Sequence, residues 1–357
     1  MDRDARELTA LRLTAQGVAA AETSDPVAVV RRMLAMQAQD LPGALWSVAL
    51  RTPAATRAQV QAALDAGTIA RSWPFRGTLH LVMPEDLGWM LPLAARRQAT
   101  TAAKRRADLG IDDAALDRAE STARELLAPG PMRRDALLAS WAERGIDTDG
   151  QRGYHLLWNL AQSQVLVFGP ADGRQPTFAL FEHRIAAPRR LDRDELLAEL
   201  ALRYFGSHGP ATVRDLAWWA SITLSDARAG LEACGDRLER RTIGGVEYAM
   251  RPGLERAAPG VFALPGFDEY LLGYQDRSAA LPPQHAPRVV PGGNGVFLPT
   301  IVAGGEVVGL WRRTERAGRI DVTAEPFDAL TARARAGFER AMRRYGRFAG
   351  VPVAVTG

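Results

Sequence analysis

The sequence predicts an α+β protein, mostly helical, in which helix-rich modules precede a β-rich unit. Two observations carry this. The same order of helix, helix, helix and two-stranded ribbon recurs three times, and after about residue 256 helical spacing gives way to strand alternation. The recurrence near 190–255 is the clearest. Asp192 to Tyr204 (DRDELLAELALRY) has apolar residues at helical spacing, with Asp192 and Glu195 as cap and capping-box partner. Gly209-Pro210 ends it. Thr212 caps a second helix with Asp215 three residues on, Ser225 caps a third (SDARAGLEAC), and Gly235 stops it. DRLERRTIGGVEYAM then reads as a hairpin turning at Gly244-Gly245.

A second recurrence, over 113–185, runs through PMRRDALLASWAERG and QRGYHLLWNLAQ to the hairpin VLVFGPADGRQPTFALF. A first, over 1–85, runs from Asp4 through DPVAVVRRMLAMQAQ and TRAQVQAALDAG to the ribbon IARSWPFRGTLHLVM, and a helical connector over 86–112 follows it. The copies share order but not residues. That order is the winged-helix order, and winged helices mostly bind nucleic acid. The remaining residues, 256–357, read as a β-rich unit. Its strands turn at Gly304-Gly305 and Ala317-Gly318, Pro326 opens a final helix with an arginine-rich face, and VPVAV adds an edge strand.

Composition narrows what such an array can be. A chain of 357 residues with 47% hydrophobic side chains is globular and has ample core. No apolar run reaches the length of a membrane span, and MDRDARE lacks the charged-then-apolar form of a signal peptide. Cys234, the sole cysteine, excludes an internal disulfide and a cysteine-based zinc finger and fits a reducing cytoplasm. Of 45 basic side chains all but Lys104 are arginine, which suits GC-rich coding and also suits bidentate contact with phosphates. The five histidines are scattered, there is no GxGxxG before a helix, and no P-loop or nucleophile elbow is present. Neither a metal nor a cofactor is expected. Lys104 lies in a basic surface run, so Schiff-base chemistry has no lysine to use.

Two features could carry chemistry or recognition. The first is AMQAQD, residues 35–40, at the end of the second expected helix. Gln37 and Gln39 would face different sides of a helix but one side of an extended end. On spacing alone they read as ordinary carbonyl caps. Asp40 adjoins them and could be a general base or a cap for the turn before Pro42. The second feature is the first ribbon, with Arg71, Trp73, Arg76 and His80. It reads either as an amphipathic ribbon with a core tryptophan or as a basic, aromatic ribbon aimed at a nucleic-acid groove.

Taken together, MQAQD, RSWPFRGTLHLV, the tryptophan pair in DLAWWASI, LPGFDEYLLGYQDRS and NGVFLPTIVAGGEVVGLWRRT resemble the landmarks of the AlkZ-like winged-helix DNA glycosylases, a family that includes antibiotic self-resistance enzymes. These segments span about Met36 to Thr314. The resemblance implies three tandem winged helices around a concave DNA-binding face, with a β-rich C-terminal element. It implies a monofunctional glycosylase that excises N7-alkylguanine, including bulky adducts and interstrand crosslinks, from double-stranded damaged DNA. It also implies a cytoplasmic, nucleoid-associated bacterial monomer with no membrane contact. Gln37 and Gln39 match the family's catalytic Gln-x-Gln, Asp40 is a further catalytic candidate, and Arg71, Trp73, Arg76, His80, Arg312 and Arg313 are the expected DNA contacts. The rival expectation is a non-catalytic winged-helix DNA-binding protein or transcriptional regulator. Such proteins usually pair one winged helix with a dimerisation domain, which three copies in one chain do not suggest.

Overall fold

The computed structural model describes residues 1–356. Its contacts divide the chain into two compact units. One comprises residues 1–61 and the chain from Arg193 onward, and the other comprises Ala62–Asp192. The expected first module, residues 1–85, contributes to both.

The chain opens in the first unit with α1 (Arg3–Ala15), capped where the Asp2 carboxylate accepts from the Ala5 N–H at 2.8 Å. Asp25 caps α2 (Pro26–Met33), which has proline in its first turn. The expected helix through Gln39 stops six residues short. Leu34 adopts φ 66°, a conformation that a helix cannot absorb, and the chain leaves as the short strand β1 (Ala35–Gln37). A helix that periodicity did not reveal follows, α3 (Leu41–Leu50). Gly43 to Leu50 are all buried, so no apolar stripe marks it. Its terminal carbonyls at Ala49 and Leu50 accept from the Arg344 guanidinium. Next, α4 (Arg57–Asp65) carries the chain across the boundary between units.

The second unit starts with the antiparallel pair β2 (Ala70–Phe75) and β3 (Thr78–Val82). Arg76 at φ 52° and Gly77 at φ 68° make the turn. After α5 (Leu87–Asp108) come α6 (Asp113–Leu127), β4 (Met132–Arg133), α7 (Arg134–Glu143) and α8 (Arg152–Gln162). Then β5 (Leu166–Phe168) pairs antiparallel with β6 (Thr177–Leu180), which also pairs with β4, and α9 (Phe181–Arg184) closes the unit. Trp73, Trp141, Leu156, Leu160 and Phe178 lie in one buried cluster.

Back in the first unit, α10 (Arg193–His208) leads to α11 (Val213–Ala220), which has the complete Thr212–Asp215 capping box. The next helix, α12 (Leu224–Cys234), is capped by Thr223 rather than Ser225. The Thr223 hydroxyl accepts from the Asp226 N–H at 3.0 Å, while Ser225 lies one residue inside the helix. β7 (Glu239–Ile243) and β8 (Val246–Met250) turn at Gly244 and Gly245, both at positive φ.

The C-terminal part contributes β9 (Val261–Leu264), α13 (Glu269–Leu272), α14 (Ala286–Val289), β10 (Thr300–Ala303), β11 (Glu306–Arg316) and β12 (Arg319–Pro326). The final elements are α15 (Ala332–Ala349) and β13 (Val353–Thr356). Five strands form one sheet in the order β13-β12-β11-β10-β9, antiparallel except for β13 on β12. Pro326 does not open the last helix. It ends β12 opposite Gly309, where a side chain would meet the proline backbone at 2.6 Å, and Thr331 caps α15 instead. Trp46 of α3 and Trp311 of β11 donate their indole N–H groups to Ala263 and Leu264 of β9. Tyr345 of α15 packs against both rings. This aromatic cluster fixes α3, and so the segment just before it, against the sheet.

Candidate active site

The Gln-x-Gln segment lies between the positive-φ residue Leu34 and the first turn of α3. The backbone is a strand only through Gln37, and Gln39 and Asp40 form a bend before α3. Ala38 is fully buried, Gln37 is 7% exposed and Gln39 is exposed, so the motif passes from the interior to the surface within three residues. Gln37 ends β1 and Gln39 lies in the bend before α3, so neither stands at the helix end that spacing suggested.

Asp40 stands at the N-cap position of α3, yet its carboxylate makes no capping hydrogen bond. It faces Arg313 of β11 at 3.5 Å. Gly43 makes this close fit possible, since a Cβ there would lie 2.6 Å from Asp40 Oδ2 and 3.3 Å from Pro265 Cβ. Arg313 is mostly buried. Arg312, next along β11, is exposed and pairs with Glu325 at 2.7 Å. At the end of the same hairpin, exposed Arg316 and Arg319 share Asp321. These arginines hold its carboxyl below the usual range, chiefly through the Arg319 hydrogen bond.

Behind the motif lies a buried polar network that sequence reasoning did not anticipate. The Gln37 N–H donates to Glu269 Oε1 at 2.9 Å. The Trp219 indole donates to Glu269 Oε2 at 2.9 Å, and His208 Nε2 lies 3.4 Å from the same oxygen. Burial holds the His208 pKa below its ordinary value, and the hydrogen bond to Glu269 opposes that only in part. Neighbouring Asp268 takes a forked contact from Arg51, at 2.8 and 2.9 Å, and the Ser47 hydroxyl at 2.6 Å. The Gln16 amide joins the two acids by donating to the Glu269 carbonyl and accepting from Arg51. The one available signal was the acidic pair inside PGFDEYLLGY, because charges within an apolar run are costly unless partnered.

In the second unit the expected DNA contacts separate. Trp73 is 2% exposed and packs on Phe168 at 5.1 Å. His80 is fully buried, edge-on to Phe75, with Nδ1 2.9 Å from the Thr78 carbonyl. Both are core residues, so the expectation that they touch DNA is corrected, and the amphipathic-ribbon alternative describes them. Arg71 is half-buried over the Phe168 ring, and Arg76 is half-exposed at the turn.

The fold and the site define an α+β protein in which a short buried strand leads to an exposed glutamine beside an arginine-rich hairpin. A family profile described as DNA glycosylase AlkZ-like matches residues 30–348, so the chain belongs to the AlkZ-like DNA glycosylase family. It is 28% identical over 300 residues to the interstrand DNA cross-link repair glycosylase of Streptomyces sahachiroi, covering 79% of this chain and 81% of that one. The solved structure of the Streptomyces sahachiroi DNA glycosylase AlkZ superposes with a TM-score of 0.81 at 25% identity, covering 100% of both chains.

Proposed function

We propose that this protein is a monofunctional DNA glycosylase that releases N7-alkylguanine from duplex DNA, including bulky adducts and interstrand crosslinks. The observation that carries the reading is the Gln37–Ala38–Gln39 segment, which runs from a buried neutral amide at the end of β1 to an exposed one beside a basic hairpin. Alkylation at N7 makes the guanine cationic and hence a good leaving group, so no strong acid is needed. The bond between the sugar C1′ and N9 breaks, and its electrons neutralise the base. A water oxygen then bonds to C1′ and its proton passes to solvent, leaving a free base and an abasic site. The sugar is cation-like in between, as in other glycosidic cleavages. Amide oxygens can orient the water and face the developing charge without removing a proton. Such a site favours labile, cationic adducts over intact bases.

Residues 113–185 and 190–255 are read as winged helices, which agrees with the order α6–α8 then β5/β6, and α10–α12 then β7/β8. Arg71, Arg76, Arg312 and Arg313 remain the proposed DNA-facing charges, acting on phosphates rather than on base edges. The test is incubation with a duplex carrying one N7-alkylguanine, and separately with a crosslinked duplex. Free base should appear, strand scission should follow only after alkali, and the crosslinked strands should separate. Scission without alkali overturns the monofunctional assignment. Tight binding to one palindrome with no base release favours a regulator.

A further inference from the structure

We propose that Glu269 is a positioning residue for the glycosylase reaction. Its buried carboxylate clamps the backbone of Gln37 and so sets where the Gln37 amide stands. This rests on the catalytic reading of Gln37. Glu269 lies 232 residues from Gln37 in the chain and is 1% exposed. Both carboxylate oxygens act as acceptors, Oε1 from the Gln37 N–H and Oε2 from the Trp219 indole, each at 2.9 Å. His208 Nε2 also lies 3.4 Å from Oε2, and in the tautomer protonated at that nitrogen it adds a further N–H to the carboxylate. A carboxylate accepts freely on both oxygens. An amide offers one, and a hydrophobic side chain offers none.

The placement matters because β1 is only three residues long and, after the turn at Leu34, no longer continues α2. A charge-assisted bond to the Gln37 N–H is stronger than a neutral one and is screened from water here. The other end of Glu269 is fixed as well. Its carbonyl accepts from Gln16 at 3.0 Å, and Asp268 beside it is locked to Arg51. Motion of the clamp is thus coupled to a packed network. A misplacement of an angstrom at a water-orienting amide costs roughly a hundredfold in rate.

The experiment uses Glu269→Gln and Glu269→Ala in the full chain, with single-turnover base release from N7-methylguanine duplex at saturating enzyme. In Glu269→Gln the single amide oxygen can serve the Gln37 N–H or the Trp219 N–H, so one donor must face the NH₂ group. Base release is expected to slow by roughly tenfold to a hundredfold, with duplex Kd within about threefold of wild type. The decisive readout is the cycle with Gln37→Ala. If Glu269 acts through Gln37, the Gln37→Ala/Glu269→Gln double variant is at most about twofold slower than Gln37→Ala alone. Losses that multiply, or wild-type rates in both single variants, overturn the proposal. A second readout is independent of activity. The Gln37 amide should exchange its hydrogen at least about tenfold faster in Glu269→Ala, while the amides of Val48 and Ala49 in α3 stay unchanged. An unchanged Gln37 amide overturns the clamp. A wild type that releases no base overturns the functional reading itself, and amide exchange then still decides whether the clamp exists.

Discussion

Gln37 and Gln39 differ in their surroundings although they stand two residues apart. Gln37 is rooted in the interior and its backbone is held by a carboxylate, whereas Gln39 is exposed. Alanine at either position should slow base release by roughly tenfold to a thousandfold while leaving duplex affinity nearly intact, as measured by single-turnover kinetics and fluorescence anisotropy. On the proposed mechanism both amides serve one water, so the double variant should cost less than the product of the two. Asp40→Asn is the control. With Arg313 opposite its carboxylate, Asp40 is engaged in packing α3 to β11, and the amide should retain most of the activity. Abolished activity there, with both glutamine variants active, would make Asp40 the base. That the segment stands among the family's landmarks was legible from residue type and neighbouring sequence. Its conformation was not, because the partner that holds it lies more than two hundred residues away and local spacing carries no trace of it.

At the scale of elements, what could be read locally was whatever local chemistry determines. The Thr212–Asp215 box and the Gly244-Gly245 turn each specify their own geometry from adjacent residues, and both formed where expected. α3 escaped because it is buried all round and has no polar face to set a period. Trp73 and His80 were misplaced because an alternating ribbon does not say which of its faces is wet. The β11/β12 hairpin exposes Arg312, Arg316 and Arg319. Arg312→Ala should weaken duplex binding equally across sequences and reduce the slope of log affinity against log salt by about 0.9, the signature of one lost phosphate contact. A change confined to one sequence would point to a base contact. Trp46→Ala should cost about 3–5 kcal/mol of stability in chemical denaturation. It empties the space between α3, β9 and α15 and leaves the Ala263 carbonyl without its donor.

The whole molecule adds two expectations. An arginine-rich chain that reads damage rather than sequence should bind duplexes with little sequence preference. If about five phosphates are neutralised, a fourfold rise in monovalent salt should lower affinity about 500-fold. Stability should also depend on pH through His208. The unfolded chain takes up that proton near pH 6.5, as an ordinary histidine does, whereas burial lowers the pKa in the folded chain. The contribution is therefore complete above about pH 6.5 and is lost as the pH falls toward the folded value. Melting curves between about pH 7.5 and pH 5.5 should fall less steeply for His208→Gln than for wild type, and equal slopes would exclude this source. No helix among the described residues is long and apolar enough to cross a membrane. Finally, the unit that holds Gln37 is discontinuous, because residues 62–192 interrupt it in the chain. Synthesis runs from the N-terminus, so the intervening unit is finished on the ribosome while Gln37 still awaits Trp219 and Glu269. A nascent chain paused near residue 192 would carry the Gln-x-Gln segment and a complete neighbouring unit, yet would lack the Glu269 carboxylate that holds the Gln37 backbone. Premature stop codons and late frameshifts in the gene should thus remove activity even though they leave both glutamines in the chain.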